Sequence, residues 1–358
     1  MKKIRVGVLF GGRSGEHEIS LRSAESVLGA LDRSRYDVIP IGITREGKWL
    51  GAREALSLLP PPEAVSETFS SGVPAQMAAE PQGERAFDVV FPVLHGPFGE
   101  DGTVQGVLEL ADVPYVGAGV LGSAVGMDKA IMKRLMESAG IPIVPYWSFI
   151  QADAAAFVEE HGKTLPYPVF VKPANLGSSV GITKVANGET LDAAIVAAAE
   201  YDRKVIVEKG LDAREIELGV LGNDRPIVSV PGEVRPKREF YDYQAKYVTD
   251  DSELLIPASL SEAQIQEAQS LALQTFKVLD CSGLGRVDLL LERDTGSFVV
   301  NELNTMPGFT SISMYPRLWE ASGIPYPDLV ARLIDLALER HEQKAKLRTS
   351  YKQIESGE

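Results

Sequence analysis

Residues 285–304 read GRVDLLLERDTGSFVVNELN, two apolar runs on either side of a short polar stretch. The runs, 285–291 and 298–304, are rich in Val, Leu and Phe, and the residues between them favour turns. The pattern predicts a β-hairpin. It therefore predicts antiparallel pairing, and an α+β arrangement, in the C-terminal half of the chain.

The two predicted strands carry four polar side chains that can share one face. Because side chains alternate along a strand, Arg286 and Asp288 lie on the same side, and so do Glu302 and Asn304. Two carboxylates and an amide oxygen are hard ligands that suit magnesium bridging phosphate oxygens. Arg286 beside them can hold an anion or an oxyanion. The alternative is a solvated strand face with salt bridges.

Composition and charge exclude several classes of protein. The chain has 358 residues, 44% hydrophobic and 24% charged, which is ordinary for a globular protein of two or three domains. Its net charge of −14 argues against a general nucleic-acid or anionic-membrane binder, but a nucleotide needs only a few local cations. Cys281 is the one cysteine, so an internal disulfide is excluded, and a reducing cytosol fits. With no signal-peptide core and no run of about 18 apolar residues, we expect a soluble cytoplasmic protein.

The N-terminal third alternates strand and helix patterns, which predicts an α/β domain with a parallel sheet and helices on both faces. Ligands then bind at the C-terminal ends of the strands, where segments 11–16 and 95–102 fall. Residues 51–86 are rich in Pro, Ala, Ser and Glu, and we expect a surface excursion with little structure of its own. The predicted strands are 4–10, 36–43, 88–94 and a short one at 115–117, and the predicted helices are 20–31 and 103–110.

The rest of the chain has a different pattern, and we place the main domain boundary at about 122–127. A helix over 128–139 ends at Gly140, with Pro142 after it. Ser261 with Gln264 has the spacing of a capping box. The remaining predicted elements are strands 169–172, 181–185, 204–209 and 213–221, helices 191–201, one from 261 and 327–341, and a polar tail at 343–358.

The loop Asn175-Leu176-Gly177-Ser178-Ser179-Val180-Gly181 joins two of these strands. Its glycines let the backbone approach a phosphate, and its hydroxyls and amides can donate to it. Lys172, just upstream, and Lys129, at the start of a helix, are candidate cations. A plain hairpin turn is equally compatible with the loop alone, but Lys172 favours a phosphate site, because a polyphosphate needs a fixed cation near the loop. For Lys129 the alternative is a solvated lysine.

Several other polar residues stand where a ligand could meet them. One stretch, Val207-Glu208-Lys209-Gly210-Leu211, resembles a hinge that presents backbone hydrogen-bonding groups to a base, and Glu215, a few residues on, can take a ribose hydroxyl. Glu16 follows the first strand and can bind an ammonium group, and His95 ends another strand of the same sheet. Each has an ordinary alternative, a surface acid or a structural histidine.

The segment Tyr241-Asp242-Tyr243-Gln244-Ala245-Lys246-Tyr247 lies in a polar stretch between Pro236 and Pro257. Three tyrosines in such a segment suggest a lid that closes on a small site. The alternative is an aromatic surface loop that packs on the core.

Taken in order, these motifs resemble the ATP-grasp carboxylate–amine ligases and, more closely, the D-alanine–D-alanine ligase family. The resemblance runs from Gly11 to about Leu338. It implies an N-terminal parallel-sheet domain followed by an ATP-grasp fold. Its pieces are Glu16-His17-Glu18-Ile19-Ser20, Leu94-His95-Gly96, Lys172-Pro173 with residues 177–181, Tyr241 to Tyr247, Gly285-Arg286-Val287-Asp288, and Asn301-Glu302-Leu303-Asn304-Thr305-Met306-Pro307-Gly308.

The resemblance also implies a division into domains and a reaction. The divisions are a Rossmann-like substrate domain over 1–122, a central ATP-grasp subdomain over 123–212, a C-terminal one over 213–342 with a lid loop at about 236–257, and the tail. ATP phosphorylates the carboxylate of one D-alanine, and the amine of a second attacks the acylphosphate. The product serves peptidoglycan precursor synthesis.

Roles for individual residues follow from the same resemblance. The ATP phosphates would contact Lys129, Lys172, Ser179 and Lys246, and the adenine and ribose would contact Glu208, Lys209, Leu211 and Glu215. Two magnesium (or manganese) ions would bind Asp288, Glu302 and Asn304. The first D-alanine would meet Glu16 and His95, Arg286 and the Gly308 N–H would form the oxyanion hole, and Ser313 would meet the second D-alanine. Ser178 and Tyr247 would bond with Glu16 and close the lid.

The resemblance leaves more than one second substrate to consider, because related ligases use D-lactate or D-serine. The family's dipeptide formers carry a tyrosine at the lid position of Tyr247, and the lactate-using relatives do not. D-alanine is therefore the expected acceptor, with D-lactate or D-serine as the alternative. A homodimer is the family expectation.

Overall fold

The computed structural model describes residues 2–59, 86–177, 180–236, 252–310 and 312–348. In this part of the chain, three β-sheets follow one another and α-helices pack on each. The strands are β1 Ile4–Gly11, β2 Tyr36–Ile43, β3 Trp49–Leu50, β4 Val89–Val93, β5 Tyr146–Ile150, β6 Val169–Pro173, β7 Thr183–Val185, β8 Lys204–Lys209, β9 Ala213–Gly222, β10 Ile227–Val228, β11 Gly232–Pro236, β12 Ser252–Leu255, β13 Gly283–Glu292 and β14 Phe298–Asn304. The helices are α1 His17–Ala30, α2 Ala52–Leu56, α3 Thr103–Leu110, α4 Val120–Met127, α5 Lys129–Ser138, α6 Ala154–His161, α7 Leu191–Ala199, α8 Glu262–Val278, α9 Met314–Ala321 and α10 Tyr326–Ala345.

The N-terminal sheet has the order β3-β2-β1-β4 and confirms the predicted parallel arrangement. β1 runs parallel to β2 and to β4, and only the short edge strand β3 is antiparallel. Apolar residues of α1 and α10 pack on one face of the sheet, and those of α3 pack on the other. The C-terminal helix thus completes the core of the first domain, which the sequence pattern did not predict.

Three predictions for this region need correction. Residues 115–117 do not form a strand, because Tyr115 makes only an isolated bridge to Val90. Segment 51–86 is not without structure at its start, because α2 buries Ala52 and Ala55 against the sheet. Helix α1 begins three residues earlier than predicted. Residues 60–85 lie outside the described part of the chain.

The second sheet is antiparallel, with the order β5-β8-β6-β7. Its apolar face packs against α6 and α7 in one buried cluster. Strand β7 is shorter than predicted, and β5 and α6 were not predicted. The sheet brings Lys172 on β6 next to Glu208 on β8, because Phe170 pairs with Glu208 and Lys172 with Ile206 in the ladder.

The third sheet contains the hairpin from which the sequence analysis began. Its order is β12-β11-β9-β13-β14, with β10 on β9, and its pairs are antiparallel. The hairpin and the capping box at Ser261 are confirmed, since Ser261 and Gln264 exchange bonds at the start of α8. The domain limits stay a prediction. The boundary at 122 falls inside α4, a helix that the sequence did not predict.

The first and third sheets meet at a seam where backbone touches backbone. Gly117 and Gly283 both have positive φ, at 103° and 76°. A Cβ on Gly283 would lie 3.3 Å from the Gly117 nitrogen, and one on Gly122 would lie 2.6 Å from the carbonyl oxygen of Asp280. Glycine is needed here because these backbones approach more closely than a side chain allows. None of the helices in the described ranges combines the length and apolar character of a membrane span.

Arg340 of α10 clamps this seam. Its guanidinium donates to the carbonyl of Gly117, to the Tyr115 carbonyl at 2.9 Å and to the Ser282 hydroxyl at 2.7 Å. It also lies 4.5 Å from the centre of the Tyr115 ring, which adds a cation–π contact. One side chain therefore ties residues on both sides of the seam.

We expect Arg340→Met to lower the free energy of unfolding by about 2–3 kcal/mol, because charged hydrogen bonds are lost and carbonyls at the seam lose their donor. Lys346→Met is the control, since Lys346 pairs with Glu342 at the exposed end of the same helix. That change should cost less than about 0.5 kcal/mol. Urea denaturation of both variants measures the difference. Equal losses would contradict the clamp.

Candidate active site

A cavity of about 300 Å³ lies where the three sheets meet. Most of the residues predicted to bind ligands line it: Glu16, His95, Lys129, Lys172, Glu208, Lys209, Leu211, Glu215, Arg286, Glu302, Asn304 and Gly308. Asp288 and Ser313 lie next to lining residues. Ser178, Ser179, Lys246 and Tyr247 are outside the described residues, as is most of the predicted lid.

The hairpin gives the cavity one polar wall. In the ladder Arg286 pairs with Asn304, and Asp288 pairs with Glu302. The Arg286 guanidinium donates two bonds of 2.7 Å to the Asp288 carboxylate, and the Asn304 amide donates to the same carboxylate at 3.0 Å. The four predicted side chains are therefore together on one face, as alternation and antiparallel pairing require.

Strand β9 adds further carboxylates beside Asp288. Oxygen atoms of Glu215, Glu217 and Asp288 all lie within 4.8 Å of one another. Arg286 also pairs with Glu217, at 2.8 Å from Nε to Oε2. Carboxylate and amide oxygens are the ligand types that magnesium and manganese prefer, so the donor set of Asp288, Glu302 and Asn304 fits such an ion.

Lys129 lies between the glycine-rich loop and the hairpin. It is the first residue of α5. The Asp128 carboxylate caps the N-terminus of this helix by accepting the backbone N–H groups of Ala130 and Ile131, each at 3.1 Å. Its ammonium donates to the Leu176 carbonyl at 2.9 Å and lies 3.4 Å from Glu302 Oε2. A cation in this position is suited to hold phosphate oxygens near the hairpin.

A buried carboxylate, Glu208, pairs with two lysines. Lys172 Nζ lies 2.5 Å from Oε2, and Lys133 Nζ lies 3.0 Å from Oε1. Burial by itself would raise the pKa of Glu208, but the two ammonium charges lower it to about 2. No sequence pattern singles out Lys133, although it stands four residues after Lys129 on the same helix.

On the N-terminal side, two carboxylates face the glycine-rich loop. A Cβ on Gly177 would lie 2.8 Å from Glu16 Oε2 and 3.8 Å from Glu100 Oε1, so this backbone packs against both acids. Glu100 also accepts the Gly96 N–H at 2.8 Å. Burial, and then the charge of Glu16, raise the pKa of Glu100 to about 8. A positive ligand group between the two acids would offset their repulsion.

His95 is buried and its two ring nitrogens are both bonded. Nδ1 donates to the Met306 carbonyl at 3.0 Å, and Nε2 lies 3.2 Å from the Ser23 hydroxyl, which accepts the Phe309 N–H at 3.3 Å. The ring thus has the pattern of a neutral imidazole that accepts from Ser23. Burial lowers the pKa of His95, although the Glu16 charge opposes this. His95 ties the N-terminal sheet to the segment that leads to Gly308.

The turn after β14 brings the last two predicted residues together. A Cβ on Gly308 would lie 2.9 Å from the Ser313 hydroxyl oxygen, so a side chain at Gly308 would displace that hydroxyl. Ser313 Oγ accepts the Thr310 N–H at 3.1 Å and lies 2.7 Å from the Thr310 hydroxyl. The backbone of Gly308 is left accessible at the wall of the cavity.

Sequence reasoning missed three charged residues of the site: Glu100, Lys133 and Glu217. Glu100 lies inside segment 95–102, and Glu217 lies on the predicted strand 213–221 together with Glu215. Their partners come from distant parts of the chain, so spacing alone gave no signal for a role. The roles assigned to the other site residues stay predictions.

We expect Glu100→Gln to remove a pH-dependent loss of stability from the ligand-free protein. The folded protein binds the Glu100 proton more tightly than the unfolded chain, so this group's contribution falls as pH rises from its ordinary pKa of 4.5 to about 8. Urea midpoints from pH 5 to about pH 9 should therefore fall less for Glu100→Gln than for the wild type. Glu320→Gln, at an exposed position of α9, should follow the wild type. Parallel curves for Glu100→Gln and the wild type would refute this.

Most of the chain matches one known protein family in two segments. Residues 5–118 match the family described as "D-ala D-ala ligase N-terminus", and residues 135–335 match "D-ala D-ala ligase C-terminus". A D-alanine–D-alanine ligase of Heliobacterium modesticaldum is 50% identical, covering 97% of this chain and 98% of that protein. The one of Geobacillus thermodenitrificans is 49% identical, covering 96% and 97%.

Two solved structures are also similar over nearly the whole chain. The D-alanine–D-alanine ligase of Coxiella burnetii has a TM-score of 0.81 and 35% identity, with 97% of each chain covered. The D-Ala:D-Ser ligase VanG of Enterococcus faecalis has a TM-score of 0.79 and 36% identity, covering 94% of this chain and 100% of that one. The fold is therefore the ATP-grasp fold that the motifs predicted, and the chain belongs to the D-alanine–D-alanine ligase family.

Proposed function

We propose that this protein joins two D-alanines to D-alanyl-D-alanine with the consumption of ATP, giving ADP and phosphate, for peptidoglycan precursor synthesis. The observation that carries this proposal is the composition of one cavity. Cations and hard oxygen ligands suited to a nucleotide lie on its ATP-grasp side, and acids suited to an ammonium group lie on its N-terminal side. The names of the relatives agree with it.

The first step makes a poor electrophile reactive. The carboxylate of the first D-alanine attacks the γ-phosphorus of ATP, the bond from that phosphorus to ADP breaks, and an acylphosphate forms. Lys129 and Lys172 are proposed to hold the phosphates, with Ser179 and Lys246 from the family pattern. The adenine and ribose are proposed to meet Glu208, Lys209, Leu211 and Glu215. Positioning and charge stabilisation supply the catalysis, since little covalent chemistry falls to the protein.

Magnesium, or manganese in its place, is proposed to bind at Asp288, Glu302 and Asn304. When bound, it supplies positive charge to phosphate oxygens and lowers the cost of bringing them to this acidic wall. Glu302 offers two carboxylate oxygens, so it can serve two ions. Lys129 stands beside it at 3.4 Å and adds a fixed positive charge.

The second step forms the peptide bond. The amine of the second D-alanine loses a proton and attacks the acylphosphate carbon, and the tetrahedral intermediate then expels phosphate. Arg286 and the N–H of Gly308 are proposed to stabilise the oxyanion, and Ser313 to meet the second carboxylate. Glu16 and His95 are proposed to hold the first D-alanine. Ser178 and Tyr247 are proposed to close the lid, which would keep water from the acylphosphate.

We also propose a homodimer in the cytoplasm. ATP is available in that compartment, and the buried thiol of Cys281 is compatible with it. Apolar side chains stand exposed on the neighbouring helices α3 and α4, where Leu110 is 92% and Leu121 is 59% exposed. Such a patch favours association with a second copy.

We expect phosphate release only when ATP, a divalent ion and D-alanine are all present. Glu302→Gln should lower kcat by about a thousandfold or more, because the divalent ions that neutralise the phosphates lose a charged ligand. A coupled phosphate assay measures both effects, and Glu320→Gln is the matched control. Equal release with L-alanine, or release without an amino acid, would exclude the proposed function.

We expect D-alanine to be preferred as the second substrate. D-serine is the competing acceptor, because the similar VanG structure is named a D-Ala:D-Ser ligase. With D-alanine, D-serine and D-lactate offered together at equal concentration, mass spectrometry should find D-alanyl-D-alanine as the main product. If the main product contained D-serine or D-lactate, the proposed acceptor would be wrong, but the proposed reaction type would stand.

A further inference from the structure

Lys133 is a buried cation outside the cavity wall. Its side chain is 0% exposed, and it does not line the cavity, whereas Lys172 and Glu208 do. Its ammonium lies 3.0 Å from Glu208 and donates to the Asn301 carbonyl at 3.1 Å. It therefore cannot touch a ligand in the cavity without a large rearrangement. A fully buried charge needs a reason, because removing it from water is costly.

An irregularity in strand β14 supplies the carbonyl of Asn301 as a hydrogen-bond acceptor for Lys133. Between Asp288 and Leu289 the register of the hairpin shifts, because Asp288 pairs with Glu302 but Leu289 pairs with Val300. Asn301 is thus the extra residue of a bulge, and its carbonyl is available to accept from Lys133. The ammonium is anchored from two sides, by β8 through Glu208 and by β14 through Asn301.

Two cations share the carboxylate of Glu208, and only one of them faces the cavity. Lys172 lies 2.5 Å from Oε2, and Lys133 occupies the other oxygen. If Lys172 binds phosphate oxygens, as proposed above, its contact with Glu208 weakens. A buried carboxylate that loses its partner is strongly destabilised. Lys133 remains as the partner of Glu208 throughout.

We propose that Lys133 is a positioning residue that keeps Glu208 charge-paired, so that Lys172 is free to bind the phosphates of the nucleotide. This inference rests on the proposed phosphate role of Lys172. Without Lys133, the attraction of Glu208 falls on Lys172 and competes with the nucleotide for it. The defect should therefore grow with the number of phosphates on the ligand. Adenosine should be affected least, because Lys172 still holds Glu208, which is proposed to meet the adenine and ribose.

The test compares binding of adenosine, ADP and ATP to Lys133→Met by isothermal titration calorimetry in the presence of magnesium. We expect Kd for ATP to rise about tenfold or more and Kd for adenosine to change less than about twofold. Lys277→Met is the control, because it removes the same charge from an exposed turn of α8. It should leave all three constants unchanged. Equal weakening of adenosine and ATP, which a general structural defect would give, would overturn the proposal, and so would an unchanged Kd for ATP.

A second variant keeps the proposal testable if Lys133→Met folds poorly. Lys133→Met combined with Glu208→Gln removes both charges of the buried pair and leaves Lys172 without the competing carboxylate. The ratio of the adenosine Kd to the ATP Kd should then return to the ratio measured for Glu208→Gln alone. A ratio that stays well below it refutes the role of Lys133. If the wild type itself binds no ATP, the proposed function fails instead, so the two failures are distinct.

Discussion

The register of β13 between β9 and β14 is the constraint on which the site depends. Val287 and Leu289 are fully buried in the apolar core of the third sheet, so alternation turns Arg286 and Asp288 to the opposite face. A slip of one residue would expose the two apolar side chains and bury the charged ones in the core. The burial of hydrocarbon thus determines which face of the hairpin carries the ionic groups.

The charges in the cavity are balanced locally rather than as a whole. Arg286 offsets Asp288 and Glu217, Lys129 stands against Glu302, and two lysines hold Glu208. Glu100 departs from this pattern, and its raised pKa is the result. The ATP-grasp side is therefore organised for a polyanion, while the acids on the N-terminal side are organised for a cation. This asymmetry matches a reaction between a nucleoside triphosphate and amino acids.

The sequence predicts those parts of this site that depend on local periodicity. The hairpin, the first sheet and the capping box of α8 follow from alternation, apolar runs and cap spacing. Lys133 was missed because a lysine one turn after Lys129 looks like a solvated residue until β8 and β14 pack over it. The bulge at Asn301 was missed because one extra residue in a strand leaves no mark in the hydrophobic pattern. The substrates and the roles of individual residues were inferred from the family resemblance, because hydrophobic periodicity predicts secondary structure and not ligands.

The position of the N-terminal sheet matters as much as the hairpin. Glu16 and His95 lie in the segments that follow two of its strands. Arg286 lies on the third sheet, and Gly308 follows the last strand of that sheet. The N-terminal side of the cavity therefore keeps its shape only while the two sheets keep their relative position. Besides the bond of His95 to Met306, three features maintain it: the glycine contact of Gly117 with Gly283, the clamp of Arg340, and the packing of α10 on β1 and β4. The residues of these three features do not line the cavity, and no binding motif in the sequence includes them. The C-terminal helix is therefore part of what holds Glu16 and His95 opposite Arg286 and Gly308, although no residue on it lines the cavity.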